Sequence, residues 1–411
     1  MSTFSGQNYT SYAGAGVANT TAILGGGDDW PGRRVRDVSN KIWLLDAQNT
    51  ALTTLLRNIR KKHVTDPKFE WYEDAFIDQY ADPTAEDATL GDGIIAMNNG
   101  TLFRKGDVWL NNDTGELMFV DLVAANNVTF VRGVGGTTAA AVNTDDLFFY
   151  IGNAMAEGSL ARDKLTTQTT AKYGHTQLFK EAFEVSNTAD TTKLWGGPQR
   201  QYLRQKGGIQ HTRDIEKAFW LGKVGQVLPT EATNYHTAGQ GGLSYLTDGV
   251  FAKITSNVAT DTSGYTNADF EADLEAYMRY GPDTKFLFCS PRACTTIDKW
   301  GRDAIQTVPS DSTFGIKITR YQSSHGNINI IKNKLFYDWT NTSAASSYDM
   351  GQCAVLLDLE QLTYCYKRDT RLEMGIQEND RDSVEDQYLT EAGLMMKLEK
   401  HHSVFYNFTP A

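Results

Sequence analysis

Residues 197–224 read GPQRQYLRQKGGIQHTRDIEKAFWLGKV, and the rest of the chain is organised around them. This is the longest helical pattern in the sequence. Pro198 suits the first helical position, where its missing N–H is not needed. Gly222, Gly225 and Pro229 supply the stop. Ile215, Ala218, Phe219 and Gly222 fall at i, i+3, i+4 and i+7, so they share one face. Tyr202 and Ile209 lie on a stripe rotated from it. Between the stripes sits Gly207-Gly208, each glycine costing roughly 1 kcal/mol against alanine in a helix interior. The pair predicts a bend that lets two packing surfaces meet one helix. At ~1.5 Å per residue the rod spans roughly 35–40 Å, about the width of a domain. Flanked by β-rich sequence, it is a spine for separate lobes, although an ordinary helix in an α+β enzyme gives the same pattern.

The totals agree with several lobes. A chain of 411 residues is too long for one compact core. Its composition is globular, 40% apolar and 22% charged, with a mean hydropathy of -0.42. No stretch approaches the ~18–20 apolar residues of a membrane span, and the N-terminus lacks the basic and apolar regions of a signal peptide. Cys289, Cys294, Cys353 and Cys365 form no CxxC pair and no zinc spacing; reduced, buried thiols and synthesis in a cytosol are expected. A net charge of -11 argues against a dedicated nucleic-acid binder. The charge is uneven. Residues 1–64 hold eight basic residues against four acidic ones, and residues 65–100 hold nine acidic residues against Lys68 alone. A basic arm beside an acidic stretch lets copies of the chain attract one another head to tail, unless both are simply solvated surface.

Residues 1–32 are rich in Gly, Ser, Thr and Asn and cannot form a core of their own. Residues 40–62 read as mainly helical, with Ile42, Leu45, Leu52, Leu55, Leu56 and Ile59 as the apolar stripe. The basic end, Arg57 to Lys62, can meet DNA, a neighbouring subunit or water. In DPKFEWYEDAF, residues 66–76, Phe69, Trp71 and Tyr72 alternate with acidic residues as in an exposed strand or extended arm. A soluble monomer rarely leaves such aromatics uncovered. Residues 101–151 hold short β runs separated by NNDTG, ANN, GVGG and NTDD, turn signals at strand spacing. Val108, Leu110, Leu117, Phe119, Val128, Phe130 and Phe148 are the alternating positions of a long protruding β-element. Residues 160–195 form an extended run leading into the spine. Gly239, Gly241 and Gly242 mark a mobile loop.

From about residue 250 an α/β lobe follows. Asn267 caps a helix carrying Phe270, Leu274, Tyr277 and Met278 on one face, ended by Gly281. KFLFCS (285–290) is a buried strand, SPRACTTIDKWG a short helix, and TFGIKITRYQS with NINIIK a hairpin joined at SSHGN. CAVLLDLEQLTYCYKR is strand-like, and LMMKLEKHHSVFYNF closes the chain as a strand pair.

Local catalytic signatures are missing. His401 and His402, read in a strand, point to opposite faces and share no metal. The other histidines lack ligand spacing. Asp380 and Asp382 have a calcium-like spacing, but the glycine and final glutamate of an EF-hand are missing, so a solvated loop is the stronger reading. GVGG follows a strand, yet TTAAAV does not open a phosphate-binding helix. No nucleophile elbow occurs. The sequence assigns no catalytic residue, no cofactor and no metal site.

Three stretches carry a resemblance. They are NKIWLLDAQNTALTTLLRNIRKK followed by KFEWYEDAF, then FVRGVGGTTAAAVNTDDLFFYIGNAMAEGS, then YGHTQLFKEAFEVSNTA running into the spine. With TAGQGGLSYL and CAVLLDLEQLTY, in this order, the chain resembles the major capsid proteins of tailed double-stranded DNA phages, with the Hong Kong 97 type fold. The resemblance implies an α+β subunit divided as follows: an N-terminal arm at 1–70, an extended β-rich loop at 71–160, and a peripheral domain at 161–235 with the spine at 198–224. An axial domain at 236–362 follows, and 363–411 returns to the peripheral domain. It implies a structural protein, not an enzyme, that assembles with itself through pentamers and hexamers into an icosahedral virion shell around double-stranded DNA. Portal, scaffold or decoration proteins are the further partners, with no membrane. Candidates for contacts between subunits are Arg33, Arg34, Arg36, Trp71, Tyr72, Trp109 and Arg132, with Gly207 and Gly208 as the spine bend. Two rivals remain from the residues alone: a homo-oligomeric enzyme with a catalytic lobe at 250–370, and another virion part such as a tail or decoration protein.

Overall fold

The structure is a computed structural model that describes residues 50–84, 93–193, 197–227, 243–260, 265–304, 308–309, 318–339 and 350–408. Most of the N-terminal arm, with Arg33, Arg34 and Arg36, lies outside the described residues, as does the Gly239–Gly242 loop. The architecture is α+β. The chain divides into two compact units: 179–216 with 368–390 in the described part of one, and 51–178, 217–367 and 391–411 in the other.

The first unit is a helix lying on strands. The spine runs as one helix from Gln199 to Leu221, starting one residue later and ending three residues earlier than the expected 198–224. Pro198 sits just outside it, and its carbonyl accepts the first helical bond from Tyr202 N at 3.3 Å. The helix is continuous through Gly207-Gly208. These glycines answer to packing. A Cβ on Gly207 would stand 3.2 Å from the Phe183 ring, and one on Gly208 would stand 3.2 Å from Tyr388. The Tyr388 hydroxyl thereby reaches the helix backbone and donates to the Arg204 carbonyl at 3.0 Å.

In the second unit, a seven-stranded mixed sheet forms the α/β lobe. Its order is Val258–Thr260, Ser403–Tyr406, Ala354–Leu357, Thr284–Cys289, Gly326–Lys332, Ile318–Ser323, Val308–Pro309. The hairpin Ile318–Ser323/Gly326–Lys332 forms as expected, with Ser323 opposite Gly326. Helices Asn267–Tyr277 and Pro291–Ala304 bring Phe270, Leu274, Ala293 and Ile297 into one core with Leu287, Ile328, Leu356 and Phe405. Thr266, not Asn267, is the cap: its hydroxyl takes the Asp269 N–H while the Asp269 carboxylate takes the Thr266 N–H, a reciprocal capping box. On another aromatic cluster, Trp220 from the end of the spine meets Phe288 at 5.3 Å and Phe336 at 4.9 Å. The helical-face reading had picked Phe219 and passed over Trp220.

The chain end departs from expectation. Ser383–Met396 and Ser403–Tyr406 do not pair with each other; the last strand enters the seven-stranded sheet. Between them Leu398 takes a left-handed conformation, φ 50°, and Glu399–His401 form a 3-10 turn. His401 and His402 therefore are not strand neighbours. His402 is fully buried; its Nδ1 accepts from Asp358 N at 3.2 Å and its Nε2 meets the Lys397 carbonyl at 3.2 Å. With an N–H on one side and a carbonyl on the other, the ring is fixed as the neutral Nε2–H form. Burial brings its pKa from 6.5 down to about 4, against the pull of the Lys397 carbonyl and Asp358.

Lys285 is buried as well. Its ammonium donates to the carbonyls of Tyr277 at 3.0 Å, Tyr280 at 2.7 Å and His401 at 2.9 Å. Burial lowers it to about 8, with Asp358 acting the other way. One side chain thus closes the end of helix Asn267–Tyr277 and ties it to the chain-end turn. The arm strand Lys68–Glu73 reaches the same turn, because Glu73 accepts from Leu398 N at 2.9 Å.

The His402 depression fixes a pH dependence. Between about 4 and 6.5 the unfolded ring binds more protons than the folded one, so stability is full above 6.5 and falls as pH drops toward 4. The span is worth up to about 3 kcal/mol. Urea unfolding of the unassembled subunit is expected to lose stability over that window. In His402→Gln the loss at neutral pH is larger but the pH slope is shallower.

Candidate assembly surfaces

The β-element is a six-stranded antiparallel sheet ordered Tyr80–Ala81, Phe148–Asn153, Asp107–Asn111, Leu117–Ala124, Asn127–Val131, Ile94–Ala96. One face is a complete core: Trp109, Met118, Val120, Val128, Phe130 and Phe148 are buried together, with Ile95 and Phe103. Phe103 stacks on Trp109 at 4.3 Å. The alternation read from sequence was right for Val128, Phe130 and Phe148 and selected the wrong face in the first two strands, where Val108, Leu110, Leu117 and Phe119 are only half-buried. Both faces are apolar there, so a period of two cannot say which one turns inward.

Among the described residues the other face is left largely uncovered. Phe149 stands opposite Leu110, which stands opposite Leu117; Phe119 stands opposite Val131; Leu122 and Ile94 both flank Thr129. Leu122, Val131, Ile94 and Ile151 are each more than half exposed. These apolar side chains run across the central strands as one exposed face, more than a soluble monomer usually leaves open.

Internal ion pairs hold this element in shape. The Arg132 guanidinium grips Glu116 through Nε at 2.7 Å and Nη2 at 2.6 Å, and Glu116 also accepts from Gly133 N and Ala140 N. Burial pushes Glu116 upward, but Arg132 and the two backbone N–H groups outweigh it and hold its carboxyl below the usual range. Arg162 pairs with buried Asp107 where the outgoing chain leaves the sheet and lies over Tyr150 at 5.4 Å. Burial raises Asp107, with Arg162 opposing it.

Three of the sequence candidates are thereby corrected. Trp109, 1% exposed, is core, because the sheet needs its largest side chain on the covered face. Arg132 is consumed by Glu116, and Trp71, 8% exposed, packs on Phe69 beneath the Lys253 ammonium. Tyr72, the next residue on the strand, points outward and is 71% exposed. Four residues further on, Phe76 is 100% exposed; it lies in no periodic element, so the sequence pattern does not single it out. The basic run is also divided: helix Ala51–Ile59 ends within it, carrying Arg57 in its last turn, and Lys61–His63 form an edge strand parallel to Leu362–Met374. Residues 40–49 of the expected helix lie outside the described residues.

In the helix-on-strands unit the polar groups serve the spine. Asp386 is 1% exposed at its side chain and receives Arg200 through Nε and Nη2, at 2.8 and 2.7 Å, and Arg204 Nε at 3.0 Å. The Arg200 bond, with Arg204 and Gly375 N and against burial, brings its pKa to about 2. The Thr390 hydroxyl donates to Thr370 and so accepts from His211 Nε2 at 2.7 Å. Asp382 accepts from Asn187 Nδ2 at 2.5 Å. Among the described residues no group of three or more acidic, His or Cys side chains is arranged for a metal, and no helix is long and apolar enough to cross a membrane.

The SU10 major capsid protein family is matched over residues 8–409, and the chain belongs to that family. Among curated relatives, the major capsid protein of Pseudomonas phage PaMx41 is 24% identical over 262 residues, 61% of this chain and 60% of the relative. The major capsid protein of Escherichia phage Phieco32 is 31% identical over 137 residues, 31% of this chain and 38% of the relative. The chain thus spans less than two thirds of the length of either relative. Solved structures with likeness to it include the capsid of a native GTA particle (10% identity, 93% of this chain and 97% of that one, TM-score 0.47). Another is Gordonia phage Cozz (12% identity, 97% and 98%, TM-score 0.46). The order of elements observed is the one the Hong Kong 97 type reading called for: β-element, spine helix, α/β lobe, returning strands.

Asp386 gives a direct test of what holds the spine. Its folded pKa lies below the ordinary 3.8, so its contribution, about 2 kcal/mol, is fully present above 3.8 and is lost as pH falls through about 2. Asp386→Asn is expected to lower stability at neutral pH by about 2–3 kcal/mol, leaving two guanidinium groups without their anion. The difference from the parent in urea unfolding should shrink below pH 3.

Proposed function

We propose that this chain is the shell-forming subunit of a tailed phage head. In this reading it assembles with copies of itself, through pentamers and hexamers, into an icosahedral container for packaged double-stranded DNA. Family membership gives the class. The single observation that carries the reading is the β-element with two apolar faces, one a core and the other uncovered. A subunit that works alone has no use for such a face. A shell subunit needs many modest contacts, because weak contacts multiply over closed rings and lattices.

The α/β lobe is read as structural and not catalytic. Two of its perturbed groups are Lys285 and His402, both lowered by burial. Three carbonyls take the Lys285 ammonium, and backbone groups occupy both His402 nitrogens. Neither group is left to move a proton. The acidic chain suits a container wall, since a strongly adhesive one would hinder packing and release of DNA. Portal, scaffold or decoration proteins are the natural further partners, the mature protein resides in the virion, and synthesis is in the host cytoplasm.

Expression of the chain alone or with its neighbouring gene products, followed by electron microscopy, is expected to give closed shells. A subunit that stays monomeric under all assembly conditions would overturn the reading. Leu122→Asp with Val131→Asp, both on the uncovered face, is expected to abolish shells while leaving the thermal unfolding midpoint of the subunit within a few degrees of the parent.

Gly207 and Gly208 remain the proposed place for the spine to adjust between pentamer and hexamer. Replacing both with Ala is expected to change shell size or closure, because each new Cβ presses on Phe183 or Tyr388. Shells of parental diameter by electron microscopy would count against it.

A further inference from the structure

Two short runs near the start of the described chain are complementary in charge and in apolar content. The first is Asn58–His63, NIRKKH, which leaves helix Ala51–Ile59 and becomes the edge strand Lys61–His63. All six residues are exposed. Ile59 is 50% exposed among the cations Arg60, Lys61 and Lys62. Lys61 lies over the Tyr366 ring at 4.7 Å, which fixes the direction of the strand's side chains.

The second run is Tyr72–Asp78, YEDAFID. It leaves strand Lys68–Glu73 and holds no regular structure before Tyr80. Both ends are nonetheless anchored. Glu73 accepts from Trp71 Nε1 and Leu398 N, and Tyr80 pairs with Phe149. Phe76 is fully exposed and Tyr72 is 71% exposed, and neither makes a ring contact among the described residues. Asp74 meets only the N–H of Ala75, and neither Asp74 nor Asp78 has an ion pair among the described residues. In extended chain their Cα atoms lie up to about 13 Å apart, long enough to straddle a bulky aromatic.

An anchored loop with a bare phenylalanine between two carboxylates is a ligand in form. A run with an exposed isoleucine beside three cations is a matching receptor. We propose that Tyr72–Asp78 of one copy seats on Asn58–His63 of a neighbouring copy, Phe76 against Ile59, with the Asp74 and Asp78 carboxylates facing Arg60 and Lys62. The contact rests on the shell-subunit reading and names a specific pairing within it. Nucleic acid is the weaker occupant of the basic run: phosphates have no use for Ile59, and the rest of the chain carries a strong negative excess. Because opposite charges also set register and reject wrong partners, the contact would give neighbouring copies a direction, arm of one to edge of the next.

A charge swap tests it. Three variants are compared with the parent for shell yield by sedimentation and electron microscopy at physiological salt: Asp74→Lys/Asp78→Lys, Arg60→Glu/Lys62→Glu, and all four together. Each pair alone is expected to lower shell yield about tenfold or more, and the four together to restore it to within about threefold of the parent. Phe76→Ser, at a fully exposed position among the described residues, is expected to lower yield without moving the unfolding midpoint. The pairing is overturned if the single pairs or Phe76→Ser assemble like the parent, or if the four together do no better than either pair. It is also overturned if Arg60→Glu/Lys62→Glu gives full shell yield with reduced DNA content, which would assign the edge to nucleic acid. Failure of the parent itself to form shells would bring down the shell-subunit reading and this pairing with it. Parental shells with unaffected variants would bring down the pairing alone.

Discussion

Much of the larger unit hangs on one buried ammonium. Lys285 gives all three of its protons to main-chain carbonyls, two at the end of helix Asn267–Tyr277 and one in the chain-end turn. Leaving those carbonyls without a donor in a dry interior is costly, and so is burying a charge without partners. Each solves the other's problem. The turn it holds also carries His402 and Glu399; the Glu399 carboxylate accepts from the backbone and hydroxyl groups of Thr255 and Ser256. Asn257 donates to the carbonyls of Lys400 and His402, and Glu73 brings in the arm. Residues from four distant parts of the sequence therefore meet at one turn, which lets the last strand enter the centre of the lobe's sheet.

The β-element follows the opposite logic. Its inner face is a small complete core and its edges are tied by Arg132–Glu116 and Arg162–Asp107. Its outer face is apolar and open. In the proposed shell reading, an element held in shape by its own ion pairs would carry little ordering cost on association. The spine shows a related economy. Two glycines let Phe183 and Tyr388 close on the helix, so a costly residue type for a helix is repaid in contact with the strands beneath.

The sequence reading succeeded where local rules operate on their own. The spine, the SSHGN hairpin, the capped helix of the lobe and the strands of the β-element were all legible from periodicity, caps and turn residues. It missed where a residue's meaning comes from a distant neighbour. Lys285 reads as an ordinary strand lysine until Tyr277, Tyr280 and His401 surround it. His401 and His402 read as a strand pair until Leu398 turns the chain. Arg132 reads as an open charge until Glu116, sixteen residues earlier, is folded beneath it. Phe76 sits in no repeating pattern, so only its exposure singles it out.

What the chain determined by itself is the succession of elements, because it depends on spacing and composition along the backbone. Only the tertiary structure decided which face of the β-element is core, which charges are already spent, and which aromatic residues remain outside. Those are questions of three-dimensional neighbourhood: alternation offers two equal faces, and a charge or a ring is free only if nothing from elsewhere in the chain has reached it first.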